Sequence, residues 1–138
     1  MKKLSKKQFF VISTDTFNAD IAVFINYSFE DALKIEGKNF AELKELLNKA
    51  IIDCNLKNDF WNEKTILGRM IPLEKGYCVF LKFYEDSFRL NIKVAVHEFS
   101  HVVSWLLIDR KINLSKETDE VYAYLIEELF GKFLYKLY

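Results

Sequence analysis

His97-Glu98-Phe99-Ser100-His101 is the stretch on which the reading of this chain turns, and it holds both histidines of the 138 residues. On a helix, positions 97 and 101 lie one turn apart. The two imidazoles then leave the same face and can reach one ion at the zinc–nitrogen distance of about 2.0–2.1 Å. Glu98 sits beside that face, poorly placed to ligate in parallel with the histidines. It is well placed to hold and deprotonate an attacking water. The surrounding pattern predicts a long helix from about Asn91 to Asp109, with the motif in its second turn.

Zinc in a catalytic site takes three protein ligands and keeps one position open. The first candidate for the third is Glu120, in Thr118-Asp119-Glu120-Val121-Tyr122-Ala123-Tyr124. Nineteen residues separate it from His101, enough for one helix to end, turn and be crossed by a second. Thr118 as N-cap would put Glu120 in the first turn, and the small Ala123 would let the helices approach. Glu117 and Asp119 are rival ligands, and Glu127 or Glu128 could accept an imidazole N–H. With no histidine left over, a developing oxyanion would be stabilised by a tyrosine or an arginine, with Tyr84, Tyr122 and Tyr124 as the tyrosines on offer.

Upstream, Tyr77-Cys78-Val79-Phe80-Leu81-Lys82-Phe83-Tyr84 is the strongest strand in the chain, turned by Glu74-Lys75-Gly76 from an edge strand over Arg69 to Leu73. Pro72 fits an edge because it cannot donate to a ladder. Ala19 to Ile25 reads as another strand. Ser28 and Asp31 form a capping box for a short helix that stops at Gly37, and Phe40 to Ile52 repeats its apolar residues at helical spacing. Trp61 is expected as a core anchor. The last helix should start near Ser115 or Thr118 and end about Phe130, with Gly131 as its stop. The apolar tail from Phe133 to Tyr138 either packs back or meets a partner.

Composition sets the outer bounds. With 51% hydrophobic and 16% aromatic residues, thirteen of them phenylalanine, the chain builds one sizeable core and is not disordered. Twenty basic and twenty acidic side chains cancel, so no global field draws it to nucleic acid or anionic lipid. Only Lys2, Lys3, Lys6 and Lys7 make a basic run, read as a solvated N-terminal tail over residues 1–8. No apolar run reaches membrane-span length, Phe9 to Ile12 is too short for a secretion signal, and Cys54 and Cys78 read as buried free thiols. A cytoplasmic protein is the expectation.

Taken together, these residues resemble the zincin metallopeptidases, and within them the glutamate-ligand branch, the gluzincins. The likeness covers about residues 77–130: a strand, the HExxH helix, then a glutamate on a following helix. Glu120-Val121-Tyr122-Ala123 is similar to the Glu-x-x-Ala element of the small ImmA/IrrE-type peptidases. The resemblance implies Zn2+ held by His97, His101 and Glu120, Glu98 as catalytic base, and a peptide or protein substrate. It also implies that a strand near Cys78 to Phe83 pairs with extended substrate. Two departures limit it: Tyr124 stands where thermolysin-like enzymes have an aspartate, and the metzincin continuation after His101 is absent.

The expected fold is a single α+β domain, a small mostly antiparallel sheet packed on the HExxH helix. The expected function is zinc-dependent peptide hydrolysis. The alternative is a non-catalytic zincin-like protein of a larger assembly, such as a phage virion, joined through the apolar C-terminus. An open cleft beside the histidines favours the enzyme; one filled by Trp105, Tyr124 or a neighbouring subunit favours the assembly protein.

Overall fold

In a computed structural model that describes residues 3–56 and 66–137, four strands and four helices form a sheet with helices on both faces. The strands are β1 (Gln8–Ser13), β2 (Asp20–Ile25), β3 (Gly68–Pro72) and β4 (Tyr77–Leu81). The helices are α1 (Phe29–Leu33), α2 (Lys38–Asp53), α3 (Phe88–Asp109) and α4 (Asp119–Leu137). Trp61 lies outside the described residues.

The sheet order is β1-β2-β4-β3. β1–β2 and β3–β4 pair antiparallel, while β2–β4 is parallel. The parallel pair is the centre, and every residue of β4 and all of β2 after Asp20 is buried. Such continuous apolar runs are what a strand covered on both faces requires. Alternation divides them. Ile21, Val23, Ile25, Tyr77, Val79 and Leu81 face α3 and α4. Ala22, Phe24, Cys78 and Phe80 face α1 and α2.

The short helix is capped as its sequence requires, Ser28 Oγ accepting from the Asp31 N–H at 3.0 Å. β3 is the edge strand, and Pro72 causes no loss there. Lys82 N donates to Leu67 O and Leu73 N to Gly76 O, which puts Pro72 in a pair that exchanges no hydrogen bonds.

Three expectations are corrected. β1 was not evident: Phe9 to Ile12 is a strand with alternate residues in the two cores. α4 runs through Gly131 to Leu137, because Leu125, Leu129 and Phe133 keep one helical stripe in the core, and this burial outweighs the glycine stop signal. The tail thereby packs inward: Phe133 is fully buried, while Tyr135 is exposed. Cys54 is exposed at the end of α2; only Cys78 is buried, where burial pushes its thiol far up and leaves it inert. No helix among the described residues is long and apolar enough to cross a membrane.

Candidate metal centre

α3 is pinned to β4 at both ends. Near its start, buried Asn91 clamps the end of the strand, its Oδ1 accepting from Tyr84 N at 3.0 Å and its Nδ2 donating to Tyr84 O at 2.8 Å. At its far end, the Tyr77 hydroxyl donates to Asp109 Oδ2 at 2.5 Å. Burial, then the bond to Asp109, pushes the Tyr77 hydroxyl far above its ordinary range, so it is a structural tie. Between the ties, Ala95, Phe99, Val102 and Leu106 face the core, which turns His97 and His101 to the opposite, exposed side.

The two Nε2 atoms lie 3.2 Å apart, with the rings at 83° to each other. Two nitrogens about 2.0–2.1 Å from one ion at a tetrahedral angle are about 3.3 Å apart. The pair therefore has the spacing zinc asks for. One ligand atom each from His97, Glu98 and His101 can be chosen so that all three lie within 4.8 Å of one another, and borderline imidazoles beside a carboxylate suit a divalent ion of this kind.

Glu98 is the buried member, 5% exposed. Burial is the larger influence and pushes its carboxyl above the usual carboxylate range, against the opposing pull of His97 and His101. Its stem lies between α3 and the start of β3. Glu98 lines an open cavity of about 470 Å³ between β3 and α3, together with His101, Trp105, Arg69, Met70 and Pro72. A carboxylate whose proton affinity is raised, opening onto solvent, has the character of a general base.

The other sequence candidates fall elsewhere. Glu120 is exposed in the first turn of α4 and is not a member of the His97–Glu98–His101 group. Ring contacts of Phe99 with Phe130 and Phe133 set the second half of α4 beside the motif; Glu120 lies about 15 Å of helix rise before Phe130. Thr118 precedes the helix as expected, its carbonyl accepting from Val121 N and Tyr122 N. Glu128 accepts from Asp15 N at the β1–β2 turn, and Glu127 lines a separate cavity with Tyr124. None of Tyr84, Tyr122 or Tyr124 lines the cavity at Glu98.

The strand beside the site is also not the expected one. β4 is hydrogen-bonded on both edges, to β2 and to β3, so Cys78 to Leu81 has no edge to offer a substrate. Among the described residues β3 pairs with β4 alone, so of the sheet's two edges, β1 and β3, the one beside the motif is that of β3. With Leu67 and Leu73 bonded inward, Gly68 and Met70 turn both backbone groups outward, and Pro72 its carbonyl. No sequence signal marked Gly68, which lies against Glu98 across thirty residues of chain.

A HExxH helix following a small mixed sheet, with its histidines converging, decides the comparison of folds. This is a generic zincin-like α+β arrangement. Comparison with protein-family models, curated proteins and solved structures found no match, so the likeness rests on motif and architecture. A second cavity, of about 460 Å³, lies beside the Tyr77–Asp109 tie and contains no motif residue.

Proposed function

We propose that the chain is a zinc-dependent hydrolase and that its substrate is a peptide bound in extended form along the outer edge of β3. The observation that carries this reading is the open cavity where that edge, Glu98 and His101 meet. Trp105 stands at its rim, 43% exposed, and does not fill it. That favours catalysis over a purely assembled role. Outward-facing backbone groups of Gly68 and Met70 suit strand addition, in which main-chain bonds hold the peptide and alternate side chains select it. Ile66, Met70, Pro72 and Trp105 give the cavity an apolar wall and the cationic Arg69 also lines it, which suits an extended peptide with an apolar side chain next to the cleaved bond.

His97 and His101 would hold the metal, with Glu120 our proposed third ligand. Its carboxylate is committed to no described partner, and ligation asks the first turn of α4 to close toward the motif. Bound there, zinc supplies Lewis-acid polarisation and makes water a stronger acid. Glu98 takes the proton from the attacking water as its oxygen adds to the carbonyl carbon. As the carbon–nitrogen bond breaks, Glu98 returns that proton to the leaving amine.

The test begins with metal analysis of protein purified without added zinc, beside the His97→Ala form. About one zinc per chain, lost in the variant, is expected. Absence of metal after zinc is supplied would end the reading. Glu98→Gln should keep metal and lower kcat by about 10²–10⁴-fold; retained hydrolysis would remove Glu98 as base. Glu120→Ala should weaken zinc strongly, and unchanged affinity would move the third ligand to Glu117 or Asp119.

A further inference from the structure

We infer that Gly68, at the start of β3, is a positioning residue for Glu98: its missing side chain is the space in which the glutamate stem is held. A Cβ built on Gly68 would stand 2.8 Å from Glu98 Cγ, 3.2 Å from Glu98 Cδ and 2.9 Å from Val94 Cγ1. Distances below 3.0 Å are not tolerated, so a side chain here must displace the glutamate, the helix or the strand. The requirement is not conformational. Gly68 is not among the residues with positive φ and lies in ordinary strand pairing with Leu81, a backbone that alanine adopts freely.

Gly68 therefore does two things at one point of the fold. Its side-chain direction, shared with Met70 and Pro72, faces α3, and the gap it leaves seats Glu98. Its backbone N–H and carbonyl face the outer edge of the sheet. A peptide added to that edge at Gly68 runs past the point where the strand backbone lies against the Glu98 stem. The neighbouring positions do not offer this: Arg69 turns to the other face of the sheet opposite Phe80, and Met70 fills its space with its own side chain. The assignment rests on Glu98 being the base, and its test separates the contact from the chemistry.

The experiment is a double-mutant cycle of Gly68→Ala and Glu98→Ala read by thermal unfolding, with kinetics and zinc titration on Gly68→Ala alone. In the otherwise native chain Gly68→Ala should lower Tm by about 3–10 °C. In the Glu98→Ala background, where Cγ and Cδ are gone, at least half of that loss should disappear. If Gly68→Ala fails to fold while the double variant folds, the same coupling is seen in stronger form. An equal loss in both backgrounds, or failure of both chains to fold, overturns the assignment.

With a peptide substrate, Gly68→Ala should lower kcat at least about tenfold with KM within about twofold, since it displaces the base and not the substrate contacts. Zinc titrated alone should bind within about threefold of the native affinity, because neither imidazole is touched. Coupling with undiminished kcat would reduce Gly68 to a packing contact and overturn its positioning role. Coupling in a native chain that hydrolyses no peptide would do the same, while locating the failure in the hydrolase reading and not in the contact.

Discussion

The two faces of the sheet are built from alternate residues of the same strands and have opposite characters. On the α1–α2 side, Phe24 stacks on Phe80 with centroids 4.5 Å apart, and Phe9, Phe29 and Phe40 close around them at 4.9–5.5 Å. The buried cluster of that face is apolar. On the α3–α4 side, the central strands offer mainly Ile, Val and Leu beside Tyr77, the rings come mostly from the helices as Phe99, Phe130 and Phe133, and the layer ends in a buried glutamate and an open cavity. The α1–α2 face packs its rings closely, while the other face leaves one corner open beside Glu98. A carboxyl buried there is a stability cost that the rest of the packing must carry.

The sharpest way to break that comparison is Phe80→Ala. Its ring is fully buried in the aromatic layer, so its loss should cost about 3–5 kcal/mol by urea unfolding. His101→Ala, on the exposed side of α3, should leave metal-free stability within about 0.5 kcal/mol. Equal losses from both would mean that the two faces share the work of holding the fold.

The buried glutamate gives a smaller and pH-dependent contrast. Because burial raises the folded-state pKa of Glu98 above its ordinary 4.5, the folded chain favours the protonated form. The group is harmless to stability below that value, and the cost of ionising it appears as pH rises through its folded pKa. Glu98→Gln, measured with a chelator present, should therefore match the native chain near pH 4 and become the more stable of the two toward pH 8. A difference that does not change with pH would show that the carboxyl is as well solvated folded as unfolded.

What could be read from the chain divides along a physical line. β4, α2 and the motif helix declare themselves because burial leaves a run or a period in the residues, and the metal pair is legible because positions 97 and 101 are joined by one helical turn. Which strand edge lies beside the motif does not follow from the sequence, because strand order is a tertiary fact. β4 is nearest the motif in sequence, yet it is central, and the edge beside the site is β3. β1 was missed because Phe9 to Ile12 is apolar on both faces and shows no alternation. Gly68 carried no signal at all, since a missing Cβ acquires meaning only from Glu98 packed against it.

Gly131 was misread for a related reason: a local stop signal was overruled by Leu129 and Phe133 on either side of it. An added Cβ there meets nothing within 4 Å, and the residue is exposed in mid-helix. Gly131→Ala should then stabilise the chain by about 1 kcal/mol, raising Tm by about 2–4 °C. No change would indicate that α4 frays from Gly131 onward and that its last turn adds little to the core.

The smallest effect is expected outside both layers, where Lys7 Nζ meets Asp31 Oδ2 at 2.9 Å across the surface. The hydrogen bond from Lys7 is the main reason the Asp31 carboxyl sits below its ordinary 3.8. A lowered folded-state pKa adds stability that is present above the unfolded value and fades as pH falls through the folded one. Both partners are substantially exposed, so water and salt screen the pair, and Lys7→Ala should cost no more than about 0.5 kcal/mol at pH 7. That cost should shrink in 1 M salt and fade as pH falls through the folded-state pKa of Asp31. A loss that does not fade with falling pH would instead point to the Lys7 stem lying against Tyr27, with Nζ 5.4 Å from the ring centre, as the contact that matters. The edge of the aromatic layer would then extend one residue further than its buried members suggest.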